Sequence, residues 1–133
     1  MPRLTYDPAV HLNAGEPFLQ TVHLFTDDKR PLGRARWHAG SPTDGAAQIL
    51  DLTILPEHRR QGHGRTLLRA VIAQITAYHK LHKSKPRRLW LAVPHKDLVI
   101  GRAFLTSEGF MHIVTVAQLF RGQDALIYIR TFD

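Results

Sequence analysis

The sequence contains no cysteine. That absence excludes disulfides, thiolate metal sites and a cysteine nucleophile, so any group transfer must use another nucleophile or pass directly between two bound substrates. No apolar run approaches the length needed to cross a bilayer. The opening MPRLTYDPAVHL lacks a basic region followed by an apolar stretch, so no secretory leader is expected and a cytoplasmic location is the default. Internal repeats, low-complexity tracts and an obvious linker are missing too. A chain of 133 residues is then expected to form one domain, residues 1–133, with a core of its own.

What is present reads as ordinary soluble globular protein: 44% of residues are apolar and 22% charged. The 18 Lys and Arg against 11 Asp and Glu give a formal charge of +7, which attracts anions. Nucleic acid and a polyphosphate cofactor both satisfy that charge, and the total does not separate them.

Periodicity sets the element order. Met1 to Pro17 holds three prolines and no helical period, so it reads as loop. Phe18 to Phe25 and Leu32 to Ala39, joined by TDDKRP, read as a hairpin, with alternation at Leu32, Arg34 and Arg36 in the second strand. Ala46 to Leu55 is apolar at almost every position, as a strand buried on both faces should be, and only Asp51 interrupts it. Leu67, Leu68, Val71, Ile72, Ile75 and Tyr78 mark one face of a helix that runs to about His79–Lys83. Basic residues stand at its negative end and Pro86 stops it. Arg87 to Val93 is a further strand. DLVIGRAFLTSEGF is a second helix with Val99, Ala103 and Phe104 inward and Gly109 as its stop. Two strands close the chain around Gly122-Gln123-Asp124. The predicted fold is α/β: a single mixed, mostly antiparallel sheet with helices on its faces, in the order β-β-β-α-β-α-β-β.

Between the apolar strand and the first helix lies PEHRRQGHGRT, Pro56 to Thr66. The first N–H groups of a helix have no intrahelical partners and sit at the positive end of its dipole. Glycines there admit a positive φ and let an anion approach the backbone. A phosphate fits such a turn, and Arg59, Arg60 and Arg65 add to the field. A Walker loop would need Gly-Lys-[Ser/Thr] after a four-residue spacer. A dinucleotide fingerprint would need a third glycine where Leu67 stands.

A third pattern matches. Arg59-Arg60-Gln61-Gly62-His63-Gly64 resembles R/Q-x-x-G-x-G/A, the acyl-CoA pyrophosphate loop of the GNAT superfamily of N-acetyltransferases. ILDLTILPEHRRQGHG resembles that family's strand and loop, and LWLAV, a helix and SEGF resemble its second signature. The likeness covers roughly Thr21 to the C-terminus. It implies a central strand splayed from its neighbour, with acetyl-CoA as co-substrate in the gap. Pantetheine would lie along Leu52, Thr53 and Ile54. Pyrophosphate would meet N–H groups from Gln61 through Gly62, His63 and Gly64 to Arg65, with the Thr66 hydroxyl a helper. The N–H near Ile54 would polarise the thioester carbonyl, and a primary amine, small-molecule or peptide, would attack directly.

Amine attack needs a base. Asp51, the only acid in the central strand, is the candidate, since burial would raise its pKa; the alternative is an aspartate that pairs with Arg or caps a backbone group. Gln48 and Glu57 are weaker candidates. Many relatives use a Tyr as the acid, four residues before the Gly of Gly-Phe, and here that position is Leu105; Ser107, His95 or a water would substitute. A non-catalytic acyl-CoA-binding module is the alternative function. The segment before Phe18 has no room for the two helices that relatives place there in full form. The acceptor site is then open, built from the loop AGSPTDG, or completed by a second copy in a homodimer.

The nine histidines raise a metal site, but zinc needs three or four convergent ligands, and solvated histidines with no metal are expected. HKLHKSKPRR is basic enough to suggest nucleic acid, yet it reads better as a solvated helix end. Met111 and the aromatics of the last two strands are expected in the core.

Overall fold

The computed structural model describes residues 19–40, 44–59, 61–96 and 101–132. The loop expected over Met1 to Pro17, the reduced amino-terminal helices, Arg60, Val99 and residues 41–43 of the loop after Ala39 lie outside the described residues.

Six strands form one sheet in the order β1-β2-β3-β4-β6-β5. They are β1 Leu19–Phe25, β2 Pro31–His38, β3 Ala46–Ile54, β4 Arg88–Pro94, β5 Met111–Phe120 and β6 Gln123–Thr131. Every pairing is antiparallel except β3 with β4. Helix α1, His63–Leu81, follows β3 after a single 3-10 turn at Pro56–His58; helix α2, Arg102–Ser107, lies between β4 and β5. The predicted element order is the observed one.

Helix α1 packs on β1, β2 and β3. Its Leu67, Leu68, Val71 and Ile75 meet a core that includes Val22, Leu24, Ala35, Trp37 and Ile49. The Trp37 indole N–H, buried in this layer, donates to Gln74 Oε1 at 2.7 Å. Such pairing is what lets a polar helix position lie inside.

Two bulges change which side chains face this core. Phe25 pairs with Pro31 and Leu24 with Gly33, so Leu32 is the extra residue, and it is buried. Arg36 pairs with Asp51 and Trp37 with Ile49, so Leu50 is the extra residue on β3 and stands 45% exposed. An inserted residue reverses the alternation of everything beyond it. The expected alternation at Leu32, Arg34 and Arg36 is therefore broken: Leu32 joins Ala35 and Trp37 inside while both arginines face away. Strand β3 is likewise buried on one face rather than two, with Leu50 and Thr53 exposed.

Helix α2 ends as the sequence predicts and Phe104 packs against the core as expected, but its most buried residue is Leu105. Gly109 has φ +88. Its N–H donates to Thr106 O at 3.1 Å, and the Phe110 N–H donates to Leu105 O at 2.9 Å. This is the Schellman arrangement, which brings the residue after the glycine against the one three before the cap. Leu105 and Phe110 accordingly are both buried, whereas Ala103, expected inward, is exposed. Met111 departs further from the expected core position: it is 68% exposed, on a strand that is exposed almost throughout because α1 packs on β1, β2 and β3, at the other edge of the sheet. Two histidines expected in solvent are buried, His63 and His79. His79 Nδ1 lies 2.8 Å from Ser84 Oγ.

Candidate functional site

Strands β3 and β4 run parallel but pair only at their beginnings, Ala46–Gln48 with Arg88–Trp90. Strand β3 continues beside β2 to Ile54, and β4 continues beside β6 to Pro94. Past the third pair the two strands separate, as the likeness to the acetyltransferases implies, and the sheet has a wedge-shaped gap.

The ladder determines which backbone groups face that gap. Leu55 N–H donates to Leu32 O at 2.9 Å, so Leu55 faces β2. In an antiparallel ladder, successive residues point their N–H and C=O to opposite sides. Thr53 therefore faces β2 as well, and the backbone groups of Leu52 and Ile54 face the gap. The Ile54 carbonyl accepts the Arg59 Nε–H at 3.0 Å, which ties the following loop to the strand. The Ile54 N–H is left pointing between the strands. Gly33, opposite Ile54, permits this close approach: a Cβ there would lie 2.6 Å from both Thr53 O and Ile54 Cδ1.

The parallel strands lead to the start of α1. Gly62 is its N-cap, with φ 82 and no side-chain cap. The first intrahelical N–H is that of Thr66, bonded to Gly62 O at 3.2 Å. The N–H groups of His63, Gly64 and Arg65 thus project from the helix end, where the dipole is positive. Apart from its chain neighbours, a Cβ at Gly62 would meet no described residue within 4 Å. At Gly64 a Cβ would rest 3.6 Å from the Phe104 ring, an ordinary contact.

The neighbouring side chains are arranged to hold this end. Arg65 Nε–H donates to Glu108, which joins the first turn of α1 to the end of α2. The Thr66 hydroxyl donates to Gly62 O at 3.2 Å. Gln61 is exposed, and its Oε1 lies 3.2 Å from His63 Nε2. Burial, and secondarily the nearby His58, pushes the His63 pKa below its ordinary value, so this ring is neutral and brings no charge to the turn.

Asp51 stands on the other face of β3 from the core. Its Oδ2 accepts Arg36 Nε–H at 2.5 Å, and Arg34 Nε lies 3.7 Å from Oδ1. The Oδ1 atom is buried and accepts no hydrogen bond among the described residues. Thr21 and His23 on β1, Arg36 and Arg34 on β2 and Asp51 and Thr53 on β3 line up across this polar face. Sequence reasoning missed Arg34 and Arg36 as site residues, because nothing local says that they lie beside Asp51; only an Arg-x-Arg spacing on a strand hinted at a shared face. Ser107, at the end of α2, donates its hydroxyl to Phe104 O at 2.7 Å. His95 Nδ1 receives Arg102 Nη2–H at 3.2 Å. Gln48 lies in the β3–β4 seam opposite Trp90, and Glu57 is exposed in the 3-10 turn. Among the described residues no group of three His, Asp or Glu could hold a metal ion, and no helix is long and apolar enough to cross a membrane.

A mixed sheet wedged open between parallel strands, with a glycine-capped helix at the mouth of the wedge, defines an acyl-CoA-binding acetyltransferase fold. The chain belongs to the acetyltransferase (GNAT) family, whose model matches residues 2–99. Solved structures agree on the fold. A GNAT-family protein from Desulfovibrio desulfuricans has a TM-score of 0.72 at 22% identity, over 89% of this chain and 72% of that one. A chimeric spermidine N-acetyltransferase from Vibrio cholerae has a TM-score of 0.72 at 18% identity, over 89% and 69%. The PaiA N-acetyltransferase of Thermoplasma acidophilum, solved in complex with coenzyme A, has a TM-score of 0.64 at 19% identity, over 86% and 62%. A search of curated proteins finds no match.

Proposed function

We propose that the protein is an N-acetyltransferase that moves an acetyl group from acetyl-CoA to a primary amine by direct attack, without an acyl-enzyme. The observation that carries this reading is the Ile54 N–H, which has no ladder partner among the described residues and faces a gap at whose mouth the first N–H groups of α1 lie outside the helix's own hydrogen bonds. Acetyl-CoA supplies the activated thioester. The chain supplies position and field. Amide groups from Gln61 to Arg65 hold the pyrophosphate, and Arg59, fixed to Ile54 O, and Arg60 add charge. Backbone groups of Leu52 and Ile54 hold the pantetheine in a strand-like path beside Thr53. As the amine nitrogen bonds to the carbonyl carbon, negative charge gathers on the carbonyl oxygen, and the Ile54 N–H stabilises it. The carbon–sulfur bond then breaks.

The nitrogen must lose a proton and the sulfur must gain one. Asp51 is our candidate for taking the proton from nitrogen, because Arg36 holds one carboxylate oxygen while the other carries lone pairs without a hydrogen bond. Leu105, buried under the Gly109 cap, cannot protonate the thiolate. Ser107 is nearby in sequence, but its proton is engaged with Phe104 O, so water is the simpler donor. That missing side-chain acid favours the second reading, an acyl-CoA-binding module without catalysis.

Calorimetric titration of acetyl-CoA into the wild type and Gly62→Glu, together with CoA release over a panel of amines, tests both. Binding that Gly62→Glu abolishes, with amine-dependent CoA release, is expected. Binding without release for any amine leaves the module, and no binding at millimolar ligand overturns both readings.

A further inference from the structure

The polar face of the sheet carries a groove of about 300 Å³ lined by His23, Pro31, Gly33, Arg34, Thr53 and Leu55. Thr53 and Leu55 flank Ile54, so the floor of this groove is the strand segment whose N–H faces the gap. Helix α1 covers the opposite face of β1, β2 and β3. A substrate threaded through the gap from the α1 side therefore meets a second substrate arriving from the groove side. Arg34 brings a permanent charge to the groove lining.

We propose that this groove receives the acceptor and that the acceptor is an amine that also carries a carboxylate, an amino acid or an acidic peptide rather than a polyamine. This rests on the acetyltransferase reading above. Charge supplies the argument. Two arginines face one aspartate here, and that aspartate is committed to Arg36 at 2.5 Å. Arg34 Nε is 3.7 Å from the same carboxylate, beyond hydrogen-bond length, and the side chain is half exposed. Arg34 thus shares the ion pair with Asp51 but makes no side-chain hydrogen bond among the described residues, and its guanidinium fork can take a carboxylate in two parallel hydrogen bonds. A polyamine would set further ammonium groups against this arginine, a like-charge contact that selects against it. Thr53, the ladder partner of Arg34 and next to Ile54, lines the same groove, so an acceptor held by Arg34 can extend its amine end toward the Ile54 segment.

The test compares amino acids with their own carboxamides, and with spermidine, by CoA release in the wild type, Arg34→Ala, Arg34→Lys and Arg34→Glu. Each acid should exceed its amide in kcat/KM by about tenfold or more in the wild type. Arg34→Ala should bring that ratio to about one, mainly through KM, Arg34→Lys should restore part of it, and Arg34→Glu should shift preference toward spermidine. Loss of activity in equal measure for acid and amide would mean that Arg34 is only structural, and a wild type that prefers amide or spermidine overturns the proposal. Should no acceptor turn over, the same ligands are titrated calorimetrically into the free protein. Carboxylate-dependent binding lost in Arg34→Ala supports the groove even if acetyl-CoA does not bind, and its absence refutes the groove even if acetyl-CoA does.

Discussion

Replacing each of the two glycines of the turn by alanine should move stability in opposite directions, although only His63 separates them. Gly62 holds φ 82, a conformation that costs an L-residue roughly 1–2 kcal/mol. Apart from its chain neighbours, no described residue comes within 4 Å of its missing Cβ, so neither clash nor new packing adds to that cost. Gly64 is different: it lies within α1, no positive φ is found there, and a Cβ would settle 3.6 Å from Phe104. Alanine in a helix is favoured over glycine by about 0.8–1 kcal/mol. In a domain of this size, 1 kcal/mol corresponds to roughly 3–5 °C in Tm. Gly62→Ala should therefore melt about 3–10 °C below the wild type, and Gly64→Ala about 2–5 °C above it, in thermal unfolding followed by circular dichroism. Binding adds a second axis. On the proposed reading a methyl at Gly62, the N-cap, disturbs the N–H groups that begin α1, and loss of one charge-assisted hydrogen bond there costs about 1.5–3 kcal/mol, at least tenfold in the Kd for acetyl-CoA. Gly64→Ala should keep its affinity within about threefold, because its methyl points at Phe104. Shifts of the same sign in the two variants would refute the left-handed cap. Equal affinities in both, with the melting shifts as expected, would leave the cap in place and remove the pyrophosphate from it.

Gly33→Ala should cost about 1–3 kcal/mol in urea unfolding, because its methyl would sit 2.6 Å from Thr53 O and force β2 and β3 apart. It should also lower kcat more than it raises the KM for acetyl-CoA, since the strain falls on Ile54; unchanged kcat in a folded variant would argue against the Ile54 N–H as the oxyanion donor. Stability should fall on mild acidification. Burial first, then a neighbouring histidine (His82 for His79, His58 for His63), depresses the pKa of both rings below the ordinary value of 6.5. The unfolded chain then binds more protons than the native one, so their contribution is complete above pH 6.5 and is lost as pH falls from there through the depressed native values. The urea midpoint should be lower at about pH 5.5 than at about pH 7.5, with a shallower slope in His79→Gln; a midpoint that rises on acidification would contradict the buried neutral rings.

Local features were legible in the sequence, and features that depend on pairing were not. The start of α1 could be read because strand, glycines and apolar period are contiguous, and helix ends obey short-range rules. Gly109 was legible as a helix stop for the same reason. The most buried residue of α2 was not, because the Schellman turn chooses Leu105 through its contact with Phe110. The bulges at Leu32 and Leu50 are invisible locally, since an extra residue is extra only against a partner strand. Composition could not tell β5 from a core strand: MHIVTVAQLF is as apolar as β3, and its exposure comes from its place at the end of the sheet away from the strands that α1 covers. The arginines beside Asp51 come from the preceding strand, Arg36 fifteen residues earlier, brought there by register alone.

The three-residue seam between β3 and β4 has a thermodynamic side. The gap-facing amides of Leu52 and Ile54 form half of a ladder that the polypeptide does not complete. A pantetheine arm in that position would act as a temporary strand, and its affinity would be counted among the energies that hold the sheet together. At a hundredfold excess over Kd such a ligand adds about 2.7 kcal/mol to the native state, a sizeable part of what a domain of this size has to lose. Turnover would then alternate between two sheets, one complete and one open, and product departure would be a local unzipping.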